Sequence, residues 1–387
     1  MQHKTKLWLV LGVALLQIGE MSPAALRITV TNTSAIERRS ETVELQWQSV
    51  AGKMSGLTPA NVAVYRGKGQ IPSQLADINA DGIPDVLLFQ VDLGPHSREV
   101  LHIRPATQRQ VFPPLVDARF ELPREDVAWE SDRIAFRIYG PALAAEVNNG
   151  VDVWVKRVRS LIVDKWYTAS AEQKKDTYHE DHGEGADFFS VGRTLGAGGC
   201  AVAIGETVYQ PGVFTTQQIL ATGPVRAMFR VTYEKGTIRG VPYKEVTTYS
   251  IDAGHHLNRI DVMFTGIGSN DSLRFVAGLV KRKNTSVLYD STACWLALWG
   301  AVNDDPVNEE LGTGIVLPHK GFVGMREDKD QYLLTANVHD GSRITYYAGA
   351  GWTRSGDFKS SADWTKLLGQ WSRRLVEPVK LTLEPTR

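Results

Sequence analysis

Apolar and polar residues alternate at every second position along much of this chain, and that pattern limits what it can fold into. In 41–50, Val43, Leu45 and Trp47 share one side while Glu44, Gln46 and Gln48 share the other, as in a strand with one wet face. The same period returns in 133–139 with Ile134, Phe136 and Ile138, and in 225–233 with Val225, Ala227, Phe229, Val231 and Tyr233. Further strands are expected at 151–155, 259–264, 314–317, 332–338 and 344–348. Many short strands without helices between them predict an all-β protein, an antiparallel β-sandwich of the supersandwich type. One amphipathic helix is expected near the C-terminus: Ser360 caps it, and Trp364, Leu367, Leu368, Trp371 and Leu375 recur on one face. Its expected role is to cover a sheet edge or face.

The first 25 residues read as a signal peptide. Lys4 and Lys6 precede an apolar run from Leu7 to Ile18, and Ser22, Pro23 and Ala24 are small enough for a peptidase near Ala24 or Ala25. The apolar run is shorter than the roughly 20 residues needed to span a bilayer. Export to the periplasm or the medium, with no membrane attachment after cleavage, is therefore expected. A Pro-containing stretch after Pro105 divides the rest into an N-terminal sandwich portion, 26–115, and a larger sandwich, 116–387. Cys200 and Cys294 are 94 positions apart, and sequence leaves open whether they bridge in an oxidising compartment or stay as two buried thiols.

Charge narrows the partners. With 43 basic and 43 acidic side chains and no basic run, the chain has no positive field to hold nucleic acid. Its 10 Trp and 12 Tyr supply flat surfaces of the kind that pack on sugars. No phosphate-cradling loop, G-x-S-x-G elbow or dinucleotide fingerprint is present. Oligomeric state is not legible.

The densest polar segment is 176–199, with two histidines, five carboxylates and six glycines in 24 residues. Such a composition is costly in a buried strand and marks a functional segment. Read as extended, 177–184 directs Tyr178, Glu180, His182 and Glu184 to one side and His179 and Asp181 to the other. Tyr178, His179, His182 and Glu184 are the candidate catalytic residues, as acids and bases tuned by neighbouring carboxylates. Alternatively His179, His182, Glu184 and Asp187 suit a divalent metal such as zinc or manganese, although their spacing is not the H-E-x-x-H of helical zinc peptidases. In 77–85, Asp77, Asn79, Asp81 and Asp85 flank Gly82, a pattern that fits either a structural calcium ion or metal-free Asx turns. Leu88 stands where an EF-hand places its glutamate. Arg137, Arg193 and Lys281 are candidates to hold a substrate carboxylate, and Trp352 to stack on a sugar ring.

The runs YHEDHGEGADFFSVGRTLGAGG, DINADGIPDVLLFQVDL, SDRIAFRIYG, VDVWVKRVRSLIVDKWY and YYAGAGWTRSGDF resemble an exported family of unknown function found in bacterial polysaccharide-utilisation clusters, which includes ulvan oligosaccharide dehydratases. The resemblance spans about residues 28 to 380. It implies a β-sandwich enzyme acting on uronate-containing oligosaccharides, a carbon–oxygen lyase performing β-elimination by dehydration or by chain cleavage. In that chemistry His179 or His182 is the base, Tyr178 the acid, and an arginine or metal the carboxylate clamp. Two other readings remain open at this level. One is a glycoside hydrolase pairing Glu184 with Asp181 or Asp187; the other is a non-catalytic glycan-binding sandwich relying on Trp352 and calcium.

Overall fold

The computed structural model describes residues 25–174, 177–268 and 272–386. The expected signal peptide, all but Ala25, and Asp176 of the polar segment lie outside these. The protein is an all-β assembly of antiparallel sheets with a C-terminal helix.

The alternating strands form where the sequence places them. The strand Arg226–Tyr233 sends Ala227, Phe229 and Val231 into the main core, with Arg226 and Arg230 on the other face. It lies second in an eight-stranded sheet ordered Thr216–Ala221, Arg226–Tyr233, Lys244–Asp252, Leu257–Thr265, Arg343–Trp352, Glu310–Val316, Trp295–Ala301, Thr285–Asp290. One face of this sheet packs on two five-stranded sheets. Phe136 and Val153 from one of them and Phe275 and Ala277 from the other join Phe229, Tyr249 and Ile260 in a single core. A second core belongs to the N-terminal unit, where Leu26, Ile28, Val43, Phe89 and Leu101 meet. That unit is closed by the end of the chain: Lys380–Pro385 pairs along Leu26–Thr31.

The C-terminal helix runs Ser361–Val376 with the Ser360 hydroxyl accepting from the Asp363 amide at 3.4 Å. Trp364, Leu368 and Trp371 bury against the eight-stranded sheet. Gly312 lets the indole lie flat there, because a Cβ at that position would stand 2.7 Å from the Trp364 ring. Two expectations are corrected. The strand at 41–50 stops at Gln46, and Trp47–Ala51 is a short helix. A further helix, Val163–Gln173, buries Val163, Trp166 and Tyr167 over the sheet that carries Trp154. Cys200 and Cys294 are both free thiols, each buried.

Candidate active site

Period two also builds the site. In the strand Ala135–Ile138, Phe136 and Ile138 face the main core, so Arg137 faces outward; in Asp152–Lys156, Val153 and Val155 face the core, leaving Asp152, Trp154 and Lys156 outward. The antiparallel register then sets Arg137 opposite Asp152 and Ala135 opposite Trp154. The helix Val163–Gln173 and the segment from Thr177 to Asp187 cover this outward face. No side chain caps the helix locally at Ile162. The buried Glu130 carboxylate instead accepts the Ile162 and Val163 amides at 2.8 Å each, while Lys156 Nζ holds it at 2.6 Å.

Beneath the cover, Arg137 is the hub. Its Nη2 donates to Asp152 at 2.7 Å and to Asp187 at 2.8 Å, and its Nη1 donates to the Tyr178 hydroxyl at 3.3 Å. Tyr139 donates to Asp152 at 3.0 Å. Asp126 stands 3.8 Å from the guanidinium. Three carboxylates therefore share one buried cation. Burial pushes Asp126 up to about 6 despite the nearby charge of Arg137. Asp187 is raised well above the carboxylate range, first by burial and then by the charge of Asp152. Burial alone would lower the Arg137 pKa, but Asp152 and Asp187 more than offset this and raise it.

The segment 177–184 is a series of turns, not the extended strand expected. Asp181 Oδ1 accepts the amides of Gly183 at 2.8 Å and Gly185 at 3.0 Å, which folds the loop on itself. Gly185, with φ +120°, then presses on its partner strand so closely that a Cβ would lie 1.9 Å from the Val155 carbonyl oxygen. The turns still keep the even-numbered residues on one side, as the sequence pattern predicts. Tyr178, His182 and Glu184 line one cavity of about 430 Å³ with Lys165 and Trp166. Glu184 is held ionised, below its ordinary range, first by the Lys165 hydrogen bond at 2.7 Å and also by the Trp166 Nε1 donor at 3.2 Å. His182 is exposed at its rim. His179 lies on the other side of Tyr178, with Nδ1 at 3.1 Å from the Asp187 carbonyl oxygen. A carbonyl only accepts, so this ring carries its proton on Nδ1 and a neutral ring offers Nε2 to solvent.

The four residues expected to ligate a metal are not gathered into a ligand set. Asp187 is taken by Arg137 and Glu184 by Lys165, and among the described residues no three His, Cys, Asp or Glu side chains are grouped to hold an ion. In 77–85 the carboxylates bind their own backbone: Asp77 accepts from Ala80 and Gly82 at 2.6 Å each, Asp81 from Ile83 at 2.8 Å and Asp85 from Ile78 at 2.8 Å. These are Asx-type turns, and Asn79 joins them through its side-chain contact to Asp85 at 3.2 Å.

Of the expected substrate-binding residues, only Arg137 belongs to the site. Arg193 is turned to the Ala145 carbonyl, and Lys281 binds Glu327 at 2.8 Å. Trp352 is fully buried, donating to the Asn308 carbonyl at 2.7 Å, so its ring offers no face to a sugar. Asp126, Asp152, Lys165 and Trp166 were not anticipated. For Asp152 the signal was present in the alternation of 151–155.

The chain belongs to the family described as domain of unknown function DUF4861, which matches it over residues 30–381. A relative in Formosa agariphila, described as uncharacterized protein P7, is 30% identical over 381 residues, covering 92% of this chain and 93% of that protein. The fold is also similar to the crystal structure of a glycosyl hydrolase family 38 protein from Enterococcus faecalis, at TM-score 0.52 and 10% identity over 94% of this chain. An alpha-mannosidase structure from Enterococcus faecalis aligns at TM-score 0.41 and 9% identity over 94% of this chain, too low to specify a common fold. The chain spans about half the length of these two proteins, 47% and 46%. The expectation of a carbon–oxygen lyase is corrected: the structure that shares the fold at TM-score 0.52 is titled a glycosyl hydrolase family 38 protein, not an eliminating enzyme. The family description brings no dehydratase activity to the chain. Among the described residues no helix is long and apolar enough to cross a membrane.

Proposed function

We propose that this is an exported glycan-processing enzyme that hydrolyses a glycosidic bond in the cavity beside Tyr178. The observation that carries the reading is the meeting of Tyr178, His182 and Glu184 in one 430 Å³ space with an indole, Trp166, in its wall. The shared architecture with a glycosyl hydrolase family 38 protein supports the same reaction class. Hydrolysis needs an acid for the leaving oxygen and a carboxylate that attacks or activates water. Glu184, kept ionised by Lys165 and Trp166, takes the second role and His182 the first. Tyr178, anchored through its hydroxyl by Arg137 and stacked on Trp154 at 4.7 Å, forms a rigid wall. Lys165, whose side chain is 65% exposed, faces the substrate side and suits a uronate carboxylate.

The test is release of reducing ends from uronate-containing and neutral oligosaccharides. Glu184→Gln is expected to lower turnover by about a hundredfold or more, with the melting temperature retained because Lys165 is a solvent-exposed partner. Undiminished turnover in Glu184→Gln overturns the assignment, as does unsaturated product in place of new reducing ends.

A further inference from the structure

The outer face of the eight-stranded sheet is not covered by the two five-stranded sheets. Its side chains form a grid fixed by register. Arg226 stands opposite Asp252; Met228, Ser250, Arg259 and Tyr347 make a second row; Arg230, Thr248, Asp261 and Thr345 make a third. One wall is the N-terminal unit, where Glu44 accepts from Arg226 Nη1 at 2.7 Å and the Ile78 carbonyl accepts from Arg230 Nη2 at 2.7 Å. The other wall is the C-terminal helix, whose Trp371 ring lies 4.8 Å from Tyr347 with Arg374 above it. Two cavities of about 410 Å³ each share Glu44, Arg226, Ser250 and Arg259 and so join into one trough.

The chemistry of the floor defines its ligand. Arg226 is 6% exposed and is locked by Asp252 at 2.6 and 2.9 Å and by Glu44. Those bonds use three of its five N–H donors, leaving a rigid fork for a guest. Arg259 is fixed by Asp261 at 3.0 Å. Five guanidiniums, of Arg226, Arg230, Arg259, Arg343 and Arg374, are interspersed with four carboxylates, of Glu41, Glu44, Asp252 and Asp261. Charges that nearly cancel leave only a weak field to draw a polyanion. The floor does offer donors and acceptors side by side at strand spacing, which matches vicinal hydroxyls that both accept and donate. An aromatic pair at one end supplies the flat apolar contact that a sugar ring uses.

The geometry points to a second glycan-binding site in this trough, separate from the cavity at Tyr178, that takes an uncharged stretch of polysaccharide. It anchors the polymer and performs no bond chemistry. The choice of a glycan rests on the reading of the protein as glycan-processing; the trough itself does not.

Native affinity electrophoresis through gels containing a soluble mannan, a β-glucan or a xylan tests this. The wild type and Glu184→Gln are expected to be retarded equally by at least one of these polymers. Arg259→Ala removes a donor, and Thr248→Trp fills the floor. Each is expected to weaken retardation by about tenfold or more, as the loss of a charge-assisted hydrogen bond or the blocking of the site requires. Circular dichroism melts confirm that both variants fold. The inference is overturned if no neutral polymer retards the wild type, or if both trough variants bind as the wild type does. Loss of retardation in Glu184→Gln alone overturns the trough while leaving the cavity standing. Retardation in the wild type that vanishes in the trough variants upholds it even if no oligosaccharide is hydrolysed.

Discussion

Glu245 sits in the middle of the main sandwich, on the core side of the strand Lys244–Asp252, 1% exposed. Its Oε1 accepts from Thr247 Oγ1 at 2.8 Å and from the Cys200 thiol at 3.7 Å. Among the described residues no cation pairs with it, and burial pushes its pKa from 4.5 up to about 8. The folded protein therefore keeps this proton where the unfolded chain releases it. Stability falls as pH rises from the unfolded value toward the folded one, and the loss levels off above the latter. Near pH 7 the gap of 2.5 units between 7 and the ordinary 4.5 amounts to about 3 kcal/mol held against folding. Glu245→Gln keeps an acceptor for Thr247 and Cys200 and removes the titration. Urea melts followed by tryptophan fluorescence near pH 5, pH 7 and pH 8.5 measure the difference. The variant is expected to exceed the wild type by under about 1 kcal/mol near pH 5, by about 3 kcal/mol near pH 7 and by about 4–5 kcal/mol near pH 8.5. Parallel stability curves, with one constant offset at every pH, would refute the account of Glu245 as a neutral buried acid.

Two further outcomes follow from the geometry. Arg137→Met leaves Asp126, Asp152 and Asp187 around a buried apolar group, so calorimetry should show about 3–5 kcal/mol of lost stability; a loss under about 1 kcal/mol would mean that the carboxylates simply take up protons. Because the oxygens in 77–85 are engaged by backbone amides, chelation should leave the melting temperature unchanged, and a drop of several degrees would place a calcium ion in that loop.

Regular elements whose causes are local were legible in the sequence. Residues 225–233 alternate cleanly and form the strand Arg226–Tyr233, and Ser360 with its apolar stripe marks the helix Ser361–Val376. The helix Val163–Gln173 was missed for a physical reason: its N-terminal amides are held by Glu130, more than thirty positions earlier, so no cap stands beside it. The extended conformation of 177–184 gave way to turns because Asp181 binds the amides of Gly183 and Gly185, yet Tyr178, His182 and Glu184 still meet on one side while His179 does not line their cavity. Arg137 was selected as a residue type, but its partnership with Asp152 depends on a strand register that no single strand encodes.

The pairing of Leu26–Thr31 with Lys380–Pro385 also has a meaning for biosynthesis. The Ala25 and Thr386 backbones meet across 361 positions, so the unit built on Leu26–Thr31 is completed only once Lys380–Pro385 has been made. Until the final residues arrive, its opening strand presents one bare edge. The leading portion of the chain therefore stays pliable until the residues that close it have been made.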